Sequence, residues 1–471
     1  MQPASTNPGK SGGVRDADPS ASPTLRRNYL SGLEDVAQTL GTMAPTGTLG
    51  VTLPLVIGLS GNASWLLMLC VVGIYLLVSV SVNAFATRSA SAGGLGTFAG
   101  LGLGPRAGTL TKWMYSGAML FSAAGCAPSA AYYACLVISR AAGMPDTPLL
   151  GAAVTALVVA AAWWTAFRDI KLSIDVMIVI EAASLALMFA IALLAMHGSG
   201  AWVDRPQLAL EGAGPRSLGA GLVLAFVTMA GFESATTLGE ESRQPVRSIP
   251  RAITACVLPV GLVYIVMTYV LVGLGRRYGI ALDQLDAPFD TIARENGHPH
   301  LGTASSVGVA LSYFACTLGS LNAGARTLYS LSGEGLFVAS VGRAHPVNAT
   351  PHRAIAIIAA ISVALPAVML GAGVSLVSCI VIITQLASLG FIATYLVVCL
   401  AAPFFLAREG RLRWPALGAS VLALVLLAGV LVLSVYPAPP FPACELPFIF
   451  AAVVAAGYMF SRWKSGRQGP G

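Results

Sequence analysis

Apolar stretches recur about twelve times along this chain of 471 residues. A helix needs roughly 20 apolar residues to cross the hydrocarbon core of a bilayer, and most of the stretches approach or exceed that length. They fall at 33–59, 62–85, 111–139, 148–166, 172–196, 217–238, 252–275, 303–331, 353–372, 375–403, 414–436 and 445–462. Only 10% of residues are charged and the mean hydropathy is +0.77, whereas soluble domains carry about a quarter charged residues. The chain therefore reads as an all-α integral membrane protein with twelve transmembrane helices and the lipid bilayer as its surroundings.

The net charge of +7 does not point to nucleic acid, because its distribution is lopsided. With the N-terminus placed in the cytosol, the inner tails and loops hold 20 of the 27 Lys and Arg residues, the outer loops hold six, and Arg326 lies inside a span. That excess sets orientation by the positive-inside rule and puts both tails in the cytosol. Residues 1–30 read as a disordered cytosolic tail rich in Ser, Pro, Gly and Asp, with no secretory-signal pattern. Residues 463–471 read as a short C-terminal cytosolic tail. No soluble domain separates the spans, and the longest outer connection, 276–301, has a turn-rich composition.

Two spans are interrupted. The first carries Ala44-Pro45-Thr46-Gly47-Thr48-Leu49-Gly50, and the sixth carries Phe226-Val227-Thr228-Met229-Ala230-Gly231-Phe232-Glu233. Lipid offers no water to unpaired backbone groups, so broken helices persist only where they line a cavity. Breaks at matching places in two halves point to a transporter's binding site. Because the breaks are five spans apart, residues 31–200 and 215–405 read as two five-helix repeats of opposite orientation, with 412–462 outside them. At the first break, N–H groups of a half-helix favour an anion such as a carboxylate, Gly47 allows close approach, and Thr46 and Thr48 add hydroxyls. At the second, carbonyls near Thr228 and Gly231 can accept from an ammonium group, and Phe226 and Met229 face the rest of the substrate. The plainer alternatives are a proline kink and ordinary core packing.

The run from Phe226 to Glu233, followed by Glu240-Glu241-Ser242, Pro245 and Ile249-Pro250-Arg251-Ala252-Ile253, resembles the sixth-helix signature of the amino acid–polyamine–organocation permeases. The stretch from Leu321 to Arg353 resembles that family's eighth helix and following loop. The resemblance implies a leucine-transporter-like fold of five plus five helices with two extra helices. Family members usually carry a Gly-Ser-Gly-type break in helix 1, where this chain has Ala44 to Thr48.

Ionisable residues inside spans mark function by default. Asp175 sits about one turn from the inner edge, a solvated position. Glu181 falls near mid-bilayer, where burial disfavours the charged form; it is a candidate for proton coupling, with a static structural acid as the alternative. Glu233 at the second break is a further coupling candidate or a structural cap. Arg326 near the inner end of its span can pair with Glu34 or Asp35 and close an inner gate, or simply snorkel. The five histidines fall in loops and no cysteines form a CxxC pair, so no metal, cofactor or catalytic set is expected. The glycines between Gly93 and Gly104 lack a P-loop lysine and read as a re-entrant or packing segment. Together these features predict a secondary amino acid transporter in the cytoplasmic membrane, coupled to protons or working by exchange, and not an enzyme. A polyamine or amine permease and a non-transporting amino acid receptor are the alternatives. Which substrate is carried and the oligomeric state are not legible.

Overall fold

The computed structural model describes residues 24–143, 145, 147–199, 203–284, 287–436 and 441–467. Residues 1–23 and 468–471 of the two expected tails lie outside the described residues, as does the side chain of Asp175. Among the described residues the structure is helical, with one isolated β-bridge between Leu30 and Ser242.

The first span is broken twice, into α1 (Gly32–Met43), α2 (Pro45–Gly50) and α3 (Thr52–Ser60). Ser31 and Glu34 form a capping box that starts α1, with the Ser31 N–H donating to the Glu34 carboxylate at 2.7 Å. Ala44 ends α1 in the left-handed region (φ 45°, ψ 61°), a conformation few non-glycine residues adopt. Pro45 then opens α2 with its φ preset for a helix. The chain reverses at Gly61 (φ +52°) into α4 (Ser64–Ala86).

Next come α5 (Gly94–Leu103), α6 (Pro105–Ala142), α7 (Pro148–Arg168), α8 (Ile170–Ser199), the short α9 (Arg205–Leu208) and α10 (Pro215–Phe226). After the second break follow α11 (Pro245–Tyr278), α12 (Pro288–Glu295), α13 (Pro299–Gly333), α14 (His352–Gly371), α15 (Leu376–Arg408), α16 (Trp414–Val435) and α17 (Leu446–Arg467).

Among the described residues, eleven helical stretches are long and apolar enough to cross a membrane. One of them, Thr52–Ala86, joins α3 to α4 over 35 residues, which at 1.5 Å per residue is about 52 Å, too long for one crossing of a core about 30 Å thick. Its neighbours agree: α1 starts beside Ser242, which donates to Asp35, and α4 ends beside Thr254, which accepts from Asn83. Both contacts lie at the start of α11, so the chain goes out and returns between them. Counted as two crossings, this stretch brings the set into agreement with the twelve expected.

Three boundaries differ from expectation. α6 starts at Pro105, ahead of the apolar window at 111–139, because its first turn carries Arg106 at the membrane edge. The outer connection contains α12, whose Phe289, Ile292 and Ala293 share one buried face. α17 runs to Arg467, into the stretch expected as tail.

The glycine-rich segment forms α5 and packs on α6 and α15. A Cβ on Gly96 would run into Lys112 and one on Gly102 into Ala401. α6 and α13 make the most extensive helix–helix contact and form the centre of the bundle. α15 seats against α6 through Gly390, where a Cβ would lie 2.8 Å from the Ala118 Cβ. Small residues at such crossings let helices approach where lipid supplies no hydrophobic drive. G390L should therefore force the two helices apart, at about 1–3 kcal/mol for overpacking. Thermal unfolding in detergent should show a lowered midpoint, and an unchanged midpoint would refute the crossing.

Candidate functional site

The first break sits deep in the bundle, and every residue from Ala44 to Thr48 is buried. Breaking the helix leaves N–H groups at the start of α2 without partners in their own helix. Neighbouring helices answer them. Thr46 N–H donates to Glu181 Oε2 on α8 at 3.3 Å, and Gly47 N–H donates to Ser312 Oγ on α13 at 2.9 Å. The Ser312 hydroxyl in turn donates to Glu181 Oε1. Glu181, fully buried, thus reaches the break directly and through Ser312. At the far end of α2, Tyr133 on α6 donates to the Gly50 carbonyl at 2.9 Å.

The second break runs from Phe226 through a 3-10 turn at Val227–Met229 to Ala230 in extended conformation and Gly231 at φ +94°. A further 3-10 turn, Ser234–Leu238, follows in place of regular α-helix. Phe226, Thr228, Met229, Ala230 and Gly231 are all buried. Tyr75 donates to the Phe226 carbonyl at 2.8 Å, and the Thr228 hydroxyl donates to the Ala225 carbonyl at 2.6 Å. Tyr395 on α15 donates to Glu233 Oε2 at 2.6 Å and accepts from Gly231 N–H at 3.4 Å. Phe226, Phe232, Tyr75 and Tyr395 form one aromatic cluster around the break, with ring centroids 5.0–6.3 Å apart.

The two breaks meet at Thr42, two residues before Ala44. A Cβ on Gly231 would lie 2.7 Å from the Thr42 side chain, and one on Gly319 of α13 would collide with its hydroxyl. The Cys316 thiol donates to the Thr42 carbonyl at 3.0 Å, and Cys126 on α6 lies 3.1 Å from Cys316, sulfur to sulfur. Gln38 bridges the junction: its side-chain amide donates to the Gly319 carbonyl at 2.9 Å, and its backbone carbonyl accepts from the Ser234 hydroxyl at 3.2 Å. Of the residues expected around a substrate, Gly231 is brought against α1 just before Ala44, and all ten are buried.

The expected gate pairing is corrected. Arg326 is fully buried and pairs with Glu241, not with Glu34 or Asp35. Its Nε and one terminal nitrogen each donate to a different oxygen of that carboxylate, the latter at 3.0 Å. Glu34 is engaged by the capping box and by Lys171 at 3.4 Å. Asp35 accepts from the Ser242 hydroxyl at 2.6 Å. The same segment binds the start of the chain through its backbone. Tyr29 and Leu30 N–H donate to the Glu241 carbonyl at 2.7 and 2.9 Å, and Arg243 N–H donates to the Leu30 carbonyl at 2.9 Å. The Glu241–Ser242 segment thus engages Arg326 and Asp35, while Glu34 is held by its own helix start and by Lys171, so the partners differ from those expected.

The amino acid permease family model matches residues 30–459. The chain belongs to the amino acid permease family. It is 25% identical over 380 residues to the uncharacterized amino acid permease YecA of Bacillus subtilis, covering 80% of this chain and 82% of that one. It is 27% identical over 359 residues to the uncharacterized transporter Rv1999c of Mycobacterium tuberculosis, covering 75% and 77%. The match to the branched-chain amino acid permease BcaP of Bacillus subtilis is 22% identical over 129 residues, 27% of each chain, so the chain spans about a quarter of that relative's length.

Sequence reasoning missed Ser312, Tyr395, Tyr75 and Thr42 in this permease. Each is a single hydroxyl on an apolar helix and leaves no pattern. Glu241 was visible in the loop motif after the second break, although its partner lies 85 residues on. A buried pair that loses one member leaves an uncompensated charge, at about 3–5 kcal/mol. R326A and E241A should each sharply lower the unfolding midpoint in detergent, and the double variant R326M/E241L should recover part of the loss. Strictly additive losses would show that the two side chains do not act as a pair.

Proposed function

We propose that this permease is a secondary transporter that carries amino acids across the cytoplasmic membrane by alternating access, with both termini in the cytosol and no enzymatic step or cofactor. The observation that carries the reading is the meeting of two broken helices at Thr42, buried among α8, α13 and α15 in a chain of this family. The substrate carboxylate is assigned to the N–H groups of the Ala44–Thr48 break, its ammonium to carbonyls from Thr228 to Ala230, and its side chain to the space beside Phe226 and Met229. Gly231 allows the two breaks to approach closely. The repeats 31–200 and 215–405 are the units that rock, with 412–462 outside them. The name of the partly matching relative BcaP supports a neutral, apolar amino acid as cargo.

Coupling follows from competition for the same donors. In the closed conformation Glu181 and Ser312 hold the N–H groups of Thr46 and Gly47. An incoming carboxylate has to displace them. Protonating Glu181 weakens its acceptance from Thr46, so proton and substrate bind together and the carrier acts as a symporter. Glu233, held by Tyr395, is a second proton-coupling residue. Arg326 with Glu241, beside Asp35 and Glu34, closes the cytosolic gate.

One observation favours a second reading, an amine or polyamine permease. Glu181 and Glu233 are fully buried, and neither forms an ion pair among the described residues. A cationic substrate would supply the missing counter-charge.

Uptake into proteoliposomes, with and without an inward proton gradient, separates the two. Labelled leucine, alanine, arginine and putrescine are compared for wild type and E181Q. Gradient-stimulated leucine or alanine uptake that E181Q loses is the expected result. Uptake confined to putrescine moves the assignment to amines. No uptake of any of the four by folded protein overturns transport of this class.

A further inference from the structure

On the Arg-rich face, away from both breaks, a cleft of about 570 Å³ opens between α5, the start of α6, the loop after α13 and the end of α17. That volume is in the range of small-molecule binding pockets. Three helices each present one face to it. α6 contributes Arg106 and Thr109, and α17 contributes Tyr458 and Arg462, one turn apart on the same side. Lys112 at its floor is buried at 3% exposure and is already engaged by Ser330 and Glu334. Arg106 and Arg462 are exposed, and neither belongs to an ion pair among the described residues. With Lys112 and Glu334 cancelling, the cleft carries two uncompensated positive charges.

The first turn of the 38-residue helix α6 also lines the cleft through Arg106 and Gly108, which brings the positive end of a helix dipole to it. The walls, by contrast, are mainly apolar. Leu101 is 40% exposed and Leu336 lies opposite. Beside Arg462, Trp463 is half exposed and carries Arg467 over its ring at 4.0 Å. Tryptophan with arginine is the pairing found at the headgroup level of a membrane.

We propose that this cleft holds the headgroup of an anionic phospholipid, its phosphate between Arg106 and Arg462 and its glycerol and upper acyl chain along Leu101 and Leu336. A free phosphate matches the charge but not the apolar walls or the size. This assignment is independent of what the permease transports.

The test is native mass spectrometry of the delipidated full chain titrated with phosphatidylglycerol or phosphatidylcholine. Wild type should bind phosphatidylglycerol in preference, and R106A/R462A should lose that preference by on the order of tenfold, as expected for two basic contacts. R411A/R413A removes the same charge from exposed positions on the same face and should bind as wild type. Circular dichroism checks that each variant remains helical. Undiminished preference in R106A/R462A, or an equal loss in R411A/R413A, overturns the cleft as the site. Displacement of the lipid by millimolar inorganic phosphate, abolished in R106A/R462A, overturns the lipid and makes the ligand a soluble anion.

Discussion

The structure depends on one requirement, that each backbone donor freed inside the bilayer finds a partner within the protein. The first span breaks at Ala44, and the N–H groups of Thr46 and Gly47 are answered by Glu181 and Ser312. Much of the arrangement follows from those two bonds. α8 and α13 must lie against the break, and Ser312 must lie between them. α13 can approach because Gly308, Ser312 and Gly319 are small, with Gly308 resting against Ser184 of α8 and Gly319 against Thr42. Thr42 is then placed to meet Gly231, which joins the second break to the first.

How much of this was legible in the sequence depends on the range of the signal. The spans were legible because about twenty consecutive apolar residues have few other uses. The breaks were legible because Pro45, Gly47 and Gly231 interrupt apolar runs. The start of α6 was not, since Pro105 and Arg106 fall outside an apolar window although they are helical. α12 was lost because eight residues containing Pro288 and Asp290 resemble a turn.

The site was legible as a place but less so as a set of bonds. Glu181 stood out as an acid among apolar residues, yet its partner Ser312 is one hydroxyl among many. The partner of Arg326 could not be read from spacing. The pattern Ser31-x-x-Glu34, however, is a capping box in plain view. It indicated that Glu34 was already engaged by the start of α1 and was a poor choice for a gate. Local chemistry was readable, and pairings across the bundle required the fold.

The two faces of the protein are closed by ion pairs of different kinds. On the Arg-rich face, Arg326 and Glu241 are both withdrawn from water. On the other, Arg140 and Arg294, 44% and 40% exposed, both reach the carboxylate of Asp290, which is itself buried at 1% exposure. Stripping either buried acid of its arginine leaves an uncompensated charge, at about 3–5 kcal/mol. The difference between the faces lies in the arginine: Arg326 is sealed from water together with its acid, whereas Arg140 and Arg294 remain at the surface, where dissolved salt reaches them.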